Sequence, residues 1–170
     1  IIEPINSKME YFDDVILTQD WHPHGHSSFA SSHKLENFSI MDMYYGEQVL
    51  WPDHCVQGSS GAMFHEKLNT LRADLVIRKG SNSKIDSYSA FFENDKKTPT
   101  GLHAYLNARG VTDLTFVGLA TDYCVAYSAL DAARLNFKVS VDTGLCRAID
   151  ADGSLEKALT EMKLEKVNLI

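Results

Sequence analysis

The chain has 170 residues, of which 44% are hydrophobic and 23% charged, a composition typical of a globular domain with one core. Its net charge of -7, from 23 acidic and 16 basic residues without a basic block, argues against a nucleic-acid partner. Because no apolar stretch approaches membrane-spanning length, we expect no membrane partner either.

The hydrophobic pattern predicts helices and strands in alternation. A helical pattern over residues 1–12 leads into a short apolar strand around Ile16, which is followed by Asp20 and His22. Residues 23–61 are predicted to form one long loop rich in histidine and aromatic residues, and ordered loops of this length are usually functional. Beyond it, we expect a helix over 63–71, a strand over 73–80, a helix over 101–110, a strand over 114–119, a helix from residue 123, a strand over 138–145, a helix over 154–164 and a strand over 166–170.

This alternation predicts the fold class. Strands connected by helical crossovers form a mostly parallel sheet with helices on both faces, a doubly wound three-layer α/β/α sandwich. Ligands of such folds bind at the carboxyl ends of the strands. Asp20, His22, Lys79 and Cys124 all follow or end predicted strands, so we expect one crevice to gather them.

The cysteine content and the opening segment indicate a cellular location. Cys55, Cys124 and Cys146 form an odd, sparse set without metal-finger spacing, which suits a reducing compartment, and we expect the cytoplasm. The first residues lack the features of a signal peptide and do not begin with Met. We therefore expect that residues are missing upstream.

Cys124 is the candidate nucleophile. At a strand-to-helix turn its sulfur should face the positive end of the helix dipole, which favours the thiolate and lowers the pKa of the thiol. Lys79, at the tip of another strand, could stabilise that thiolate by its charge. Taken singly, a cysteine such as Cys124 is more often an inert buried thiol, and a strand-end lysine such as Lys79 is more often solvated. Only the combination of the two favours a functional role. Cys55 and Cys146 are interpreted as structural thiols because neither lies at such a turn.

A second candidate centre is a set of metal ligands. Asp20 and His22 are two residues apart on an extended segment, so their side chains should point the same way. His54 could complete a set of two imidazoles and one carboxylate, which suits zinc, iron or manganese. His26 lies close in sequence and is a candidate fourth ligand. The alternative is a polar loop that is rich in histidine by chance.

With these residues in view, the chain resembles the nicotinamidase (pyrazinamidase) branch of the isochorismatase-like hydrolases over essentially all 170 residues. Four segments carry the resemblance, in the order found in the family. They are TQDWHPHGHSSF for the metal ligands, WPDHCVQGSSGAMFH for a further ligand and the substrate wall, RKGSNSKIDSYSAFFEN for the catalytic lysine and GLATDYCVAYSALDA for the nucleophile.

The resemblance implies a role for each matching residue. It makes Cys124 the nucleophile and Lys79 its charged neighbour, and it assigns the metal to Asp20, His22 and His54. It further implies an oxyanion hole formed by the backbone N–H groups of Ala120 and Cys124, a cis peptide between Leu119 and Ala120, a pocket wall at Trp51 that stacks on a pyridine ring, and a lining residue at Tyr88.

The implied reaction is the hydrolysis of nicotinamide to nicotinate and ammonia in NAD salvage, through a cysteine thioester, with pyrazinamide as a further substrate. The implied cofactor is one divalent metal ion, with zinc as the first choice and iron or manganese as alternatives. The sequence leaves open whether the chain forms a homo-oligomer.

One departure from the family pattern matters. The family also uses an aspartate at the end of its first strand, in a D-x-Q-x-D-F context, as the base that accepts the thiol proton, and this sequence contains no such motif. We therefore expect residues 1–170 to be a single domain that lacks its N-terminal strand. If they were the whole polypeptide, activity should be close to nil.

Two alternatives remain open. A different cysteine amidohydrolase of the superfamily, such as an N-carbamoyl amidohydrolase, would share Cys124 and Lys79 without using the histidines. A non-catalytic member of the fold would also explain a chain without the base.

Overall fold

A computed structural model describes residues 1–170 and consists of five α-helices and seven β-strands. None of the helices is long and apolar enough to cross a membrane. The helices are α1 (Ile2–Met9), α2 (Ala30–His33), α3 (Leu102–Ala108), α4 (Ala126–Arg134) and α5 (Ser154–Leu164). The strands are β1 (Ile16–Asp20), β2 (Ile40–Met43), β3 (Gly46–Val49), β4 (Leu75–Lys79), β5 (Asp113–Leu119), β6 (Lys138–Arg147) and β7 (Asn168–Leu169).

The parallel pairing of β1 with β4 places two candidate site residues side by side. The register runs from Ile16 opposite Leu75 to Asp20 opposite Lys79, so the two strands end in step. Both strands begin with apolar residues and end with charged ones. The carboxyl ends of the two strands therefore place Asp20 and Lys79 at the same edge, as expected for a parallel sheet.

The remaining strands form two further sheets. β5, β6 and β7 are parallel and adjacent in that order, whereas β2 and β3 form a separate antiparallel hairpin. The β1–β4 pair is not hydrogen-bonded to the β5–β6–β7 sheet. The parallel strands are therefore divided into a group of two and a group of three.

Alternate residues of the strands pack on opposite faces, which confirms the predicted three-layer sandwich. Ile16 and Phe116 pack against the larger core cluster, whereas the next residues, Leu17 and Val117, pack with α1. The larger cluster includes buried side chains from three helices, namely Leu106 of α3, Ala129 of α4 and Met162 of α5. Helices thus cover both faces of the strands.

The predicted loop over residues 23–61 contains more regular structure than the sequence indicated. It includes α2 and the β2–β3 hairpin. Hydrophobic alternation could not reveal this hairpin, because its one fully buried side chain belongs to a polar residue, Gln48.

The predicted helix over residues 63–71 was wrong. The segment is irregular and ends in a single turn of 3-10 helix, Thr70–Arg72. The side chain of Asn6 in α1 donates to the carbonyl of Lys67 at 2.7 Å and accepts from the N–H of Asn69 at 2.9 Å. These tertiary hydrogen bonds engage backbone groups that a helix would have paired internally.

Candidate active site

Cys124 and Lys79 meet although they belong to distant parts of the chain. Cys124 lies in a π-helical turn, Thr121–Val125, between β5 and α4, and Lys79 ends β4. The Lys79 Nζ donates to the Cys124 Sγ at 3.2 Å and to the carbonyl of Ser87 at 2.9 Å. Since Lys79 is only 4% exposed, the interpretation as a solvated lysine was wrong.

Asp20 provides the counter-charge for Lys79, with which it forms an ion pair. Burial alone would lower the pKa of Lys79, but the charges of Asp20 and Cys124 outweigh burial and raise it. Burial likewise opposes the charged form of Asp20, but Lys79 and the two nearby histidines lower the pKa of this carboxyl. Lys79 is therefore a buried ammonium ion, and Asp20 is a carboxylate.

The expected low pKa of Cys124 was wrong for this arrangement. Burial raises the pKa of the Cys124 thiol to about 11, and the negative charge of Asp20 adds to this effect. Lys79 lowers the pKa of the thiol but does not outweigh burial. At neutral pH the thiol is protonated, so a nucleophilic Cys124 requires a group that accepts its proton.

Asp20, His22 and His54 are brought together as the sequence predicted. One ligand atom from each lies within 4.8 Å of the others. The Nδ1 of His22 hydrogen-bonds the carbonyl of Gly80 at 2.9 Å, and the Nδ1 of His54 hydrogen-bonds the carbonyl of Pro52 at 2.8 Å. Metal-binding histidines typically donate their second ring N–H in this way, which leaves Nε2 as the ligand atom.

The side chains therefore fit a divalent metal ion. Burial, the largest influence, lowers the pKa of His22 and favours the neutral imidazole that metal binding requires. Two imidazoles and a carboxylate are a donor set that suits zinc and leaves room for further ligands.

His26 packs beside His22, with ring centroids 4.6 Å apart. Both of its ring nitrogens are engaged within the chain, however. Nδ1 hydrogen-bonds Ser28 Oγ at 2.8 Å, and Nε2 hydrogen-bonds the carbonyl of Asn82 at 2.8 Å. In this arrangement His26 offers no free nitrogen as a fourth ligand.

Trp51 and Tyr88 form an aromatic wall together with Tyr123. The Trp51 Nε1 donates to the Tyr88 hydroxyl at 2.9 Å, which fixes the polar edge of the indole. The Tyr123 ring packs edge-on against Trp51 with a centroid distance of 4.8 Å, and the His54 ring lies 6.4 Å from that of Trp51. The wall thus runs from the metal ligands to the turn that carries Cys124.

The turn around Ala120 has the predicted cis peptide bond between Leu119 and Ala120. The carbonyl of Ala120 accepts the N–H groups of Tyr123 at 3.2 Å and Val125 at 3.1 Å. These bonds attach the end of β5 to the turn in which Cys124 lies.

Sequence reasoning missed three residues of this region, namely Gly80, Asp86 and Tyr123. Gly80 has a φ of +65°, and a Cβ at this position would run into the His22 ring. Asp86 is 2% exposed, with its Oδ1 3.9 Å from His22 Nε2. The available signals were a glycine directly after a strand that ends in lysine, and an aromatic residue directly before the candidate nucleophile.

Comparisons with known proteins identify the family. The family model for the Isochorismatase domain matches residues 13–170. A nicotinamidase of Acinetobacter baylyi is 48% identical over 171 residues, which cover 100% of this chain and 80% of that protein.

Solved structures give the same result. A nicotinamidase and pyrazinamidase of Acinetobacter baumanii is 49% identical with a TM-score of 0.98, and the match covers 99% of this chain and 82% of that one. A pyrazinamidase of Pyrococcus horikoshii in complex with zinc is 29% identical with a TM-score of 0.77, covering 99% of this chain and 83% of that one. The chain therefore belongs to the isochorismatase domain family and, within it, to the nicotinamidase branch.

Proposed function

We propose that this protein is an amidohydrolase that converts nicotinamide to nicotinate and ammonia in NAD salvage, and that it also accepts pyrazinamide. The observation that carries the proposal is the contact of 3.2 Å between Lys79 Nζ and Cys124 Sγ, beside the Asp20, His22 and His54 set. The similarity to proteins named nicotinamidase, at 48% and 49% identity, supports the choice of substrate.

In the proposed reaction, the thiol of Cys124 gives up its proton and its sulfur bonds to the carboxamide carbon, which leaves an oxyanion. The backbone N–H groups of Ala120 and Cys124 hold this oxyanion. The C–N bond then breaks, the nitrogen takes the proton and leaves as ammonia, and a thioester remains. Water hydrolyses the thioester, the carboxylate is released and the sulfur regains a proton.

Lys79 holds the cysteine in place throughout the steps of this reaction. Its ammonium group binds Cys124 Sγ, Asp20 and the Ser87 carbonyl at once, so it fixes the sulfur and stabilises the thiolate by charge. Since Lys79 is itself protonated and paired, a different group must carry the thiol proton.

We propose that this group is an aspartate on a further strand of the protein, upstream of residue 1. The division of the parallel strands into β1–β4 and β5–β6–β7 supports this proposal, because one more parallel strand would join the two groups into a continuous sheet. Its carboxyl end would then lie at the edge that already carries Asp20, Lys79 and Cys124. Residues 1–170 are, in this proposal, the larger part of a single domain.

Asp20, His22 and His54 are the residues that would hold a divalent metal ion. Zinc is our first choice, supported by the zinc complex of the Pyrococcus horikoshii pyrazinamidase, with iron and manganese as alternatives. When bound, the ion supplies an electrophilic anchor for the ring nitrogen of nicotinamide. The chain contributes Trp51 as the wall against which the pyridine ring stacks, with Tyr88 behind it.

The compartment we propose is the cytoplasm. All three cysteines are free thiols, which supports a reducing environment.

The decisive experiment measures ammonia release from nicotinamide by the full-length protein before and after chelation. We expect turnover that is lost on chelation and restored by zinc. Turnover of an N-carbamoyl amide that is insensitive to chelation would favour another amidohydrolase of the family. The absence of turnover on any amide would favour a non-catalytic member.

A further inference from the structure

Gln48 is a fully buried polar residue in the β2–β3 hairpin, whose other residues are partly or fully exposed. Its side chain forms four hydrogen bonds, which is the full capacity of a primary amide in this geometry. Nε2 donates to the carbonyl of Val49 at 2.8 Å and to the Tyr88 hydroxyl at 2.7 Å. Oε1 accepts from the Tyr45 hydroxyl at 3.2 Å and from Asn94 Nδ2 at 3.0 Å.

The neighbours of Gln48 fix the orientation of its amide. The backbone N–H of Tyr88 donates to Asn94 Oδ1 at 3.0 Å, so the amino group of Asn94 must face Gln48. The carbonyl of Val49 can only accept, so it must face the amino group of Gln48. Rotating the Gln48 amide by half a turn would oppose donor to donor and acceptor to acceptor.

The network ends at the aromatic wall. The Tyr88 hydroxyl oxygen accepts from Gln48 Nε2 at 2.7 Å and from Trp51 Nε1 at 2.9 Å. Gln48 therefore fixes the Tyr88 hydroxyl, and this hydroxyl in turn fixes the Trp51 indole by accepting its N–H. Phe38, which packs edge-on to Trp51 at a centroid distance of 5.9 Å, contacts the same ring from the segment before the hairpin.

We propose that Gln48 is a positioning residue for the substrate pocket, which acts through the Tyr88 hydroxyl to set the plane of the Trp51 indole. The inference rests on the proposed function, since Trp51 is the surface on which the pyridine ring of nicotinamide stacks. Gln48 contacts neither Cys124 nor the metal ligands in this network. Its loss should therefore weaken the binding of the substrate ring and leave the rate of the chemical step nearly unchanged.

A glutamine is required for this role. Methionine has a similar length, but it would remove both donors and both acceptors at once. The hydroxyl of Tyr88 would then lose the donor that holds it, and Asn94 and Tyr45 would lose an acceptor in a partly buried place. Removing the hydroxyl instead, by Tyr88→Phe, breaks the same connection from the other side.

The test compares Gln48→Met, Tyr88→Phe and the double variant with the parent in the full-length protein. We expect the KM for nicotinamide to rise about tenfold in each single variant, as for the loss of buried hydrogen bonds, with kcat changed by less than about threefold. The double variant should resemble the single ones, because both act through one hydroxyl.

A second readout does not depend on activity. The indole N–H signal of Trp51 in a nitrogen-15 correlation spectrum should shift in Gln48→Met and exchange faster with solvent. Met162→Ala serves as a control, because Met162 is fully buried in the larger core cluster, which contains no residue of the hairpin, and its truncation lowers stability. This control should lower Tm while KM and the Trp51 signal stay as in the parent.

The outcomes separate the two proposals. An unchanged KM together with an unshifted Trp51 signal in Gln48→Met would overturn the inference, as would additive effects in the double variant. If the parent shows no nicotinamide hydrolysis but the Trp51 signal shifts, the proposed function fails while the connection from Gln48 to Trp51 stands.

Discussion

Asp20 and Lys79 are paired residues at the ends of β1 and β4, and their side chains form an ion pair. One carboxylate therefore belongs both to the candidate metal set and to the surroundings of the candidate nucleophile. Substitutions at Asp20 should consequently change the pKa of Cys124, even in protein without metal.

The first prediction concerns Cys124 itself. Cys124→Ala removes the sulfur that forms the thioester, so nicotinamide turnover should fall by at least about 10⁴-fold. Nicotinate should still bind, because Trp51 and the metal ligands are untouched. Ammonia release and titration calorimetry measure the two properties, and turnover retained in this variant would refute the role of Cys124.

The second prediction uses the opposite charges that flank the thiol. Asp20 raises the pKa of Cys124 and Lys79 lowers it, against a larger rise caused by burial. In metal-free protein, Asp20→Asn should therefore speed alkylation of Cys124 by iodoacetamide at pH 8, and Lys79→Met should slow it. For the parent, the rate should keep rising with pH towards about 11. Identical rates in the two variants would contradict this electrostatic account.

The third prediction is about stability and centres on Asp122, which anchors the nucleophile turn. This residue is 4% exposed and accepts from the N–H groups of Ile149 at 3.1 Å and Asp150 at 2.7 Å and from the Ser154 hydroxyl at 2.5 Å. Burial opposes its charge, but these donors outweigh burial and lower the pKa of Asp122. The folded state thus binds the proton less tightly than the unfolded state does, so the carboxylate stabilises the fold above about pH 4.

Asp122→Asn should consequently reduce the free energy of unfolding by about 1–3 kcal/mol at pH 7. The difference from the parent should shrink as pH falls through the folded-state pKa of Asp122, because the parent loses the same charge there. Urea unfolding at a series of pH values measures both effects. Asp113→Asn, at an exposed ion pair with Lys138, is the control and should change stability little.

Periodicity predicted most of the strands and helices that carry the site. The apolar runs that became β1, β4 and β5 and the helical pattern over 154–164 were confirmed. Short runs of aliphatic and β-branched residues are typical of strands in a parallel sheet. The β2–β3 hairpin could not be predicted this way, since its inward-facing residue is the hydrogen-bonded Gln48.

The site was predictable in its members but not in its electrostatics. Strand ends indicated that Asp20, Lys79 and Cys124 would converge, and they do. The protonated state of Cys124 was not predictable, because it depends on how deeply the thiol is buried against the neighbouring charges. The burial of the thiol is set by tertiary packing, which the sequence pattern does not reveal. The same holds for the hydrogen bonds that engage both ring nitrogens of His26.

The last prediction concerns Gly80, which connects the end of β4 to the metal ligands. Its carbonyl accepts from His22 Nδ1 at 2.9 Å, and a Cβ at this position would run into the His22 ring. Gly80→Ala should displace the imidazole and weaken zinc binding by about 10–100-fold, as is typical when the support of a metal-binding histidine is lost.

Gly110→Ala is a matched control, because Gly110 has a similar φ of +71° but a methyl group there would meet no packed neighbour within 4 Å. Both variants carry the backbone cost of a side chain at positive φ, so both should lose some stability. Only Gly80→Ala should lose zinc affinity in a competition titration with a chromogenic chelator, and equal zinc affinities in the two variants would show that Gly80 does not position His22.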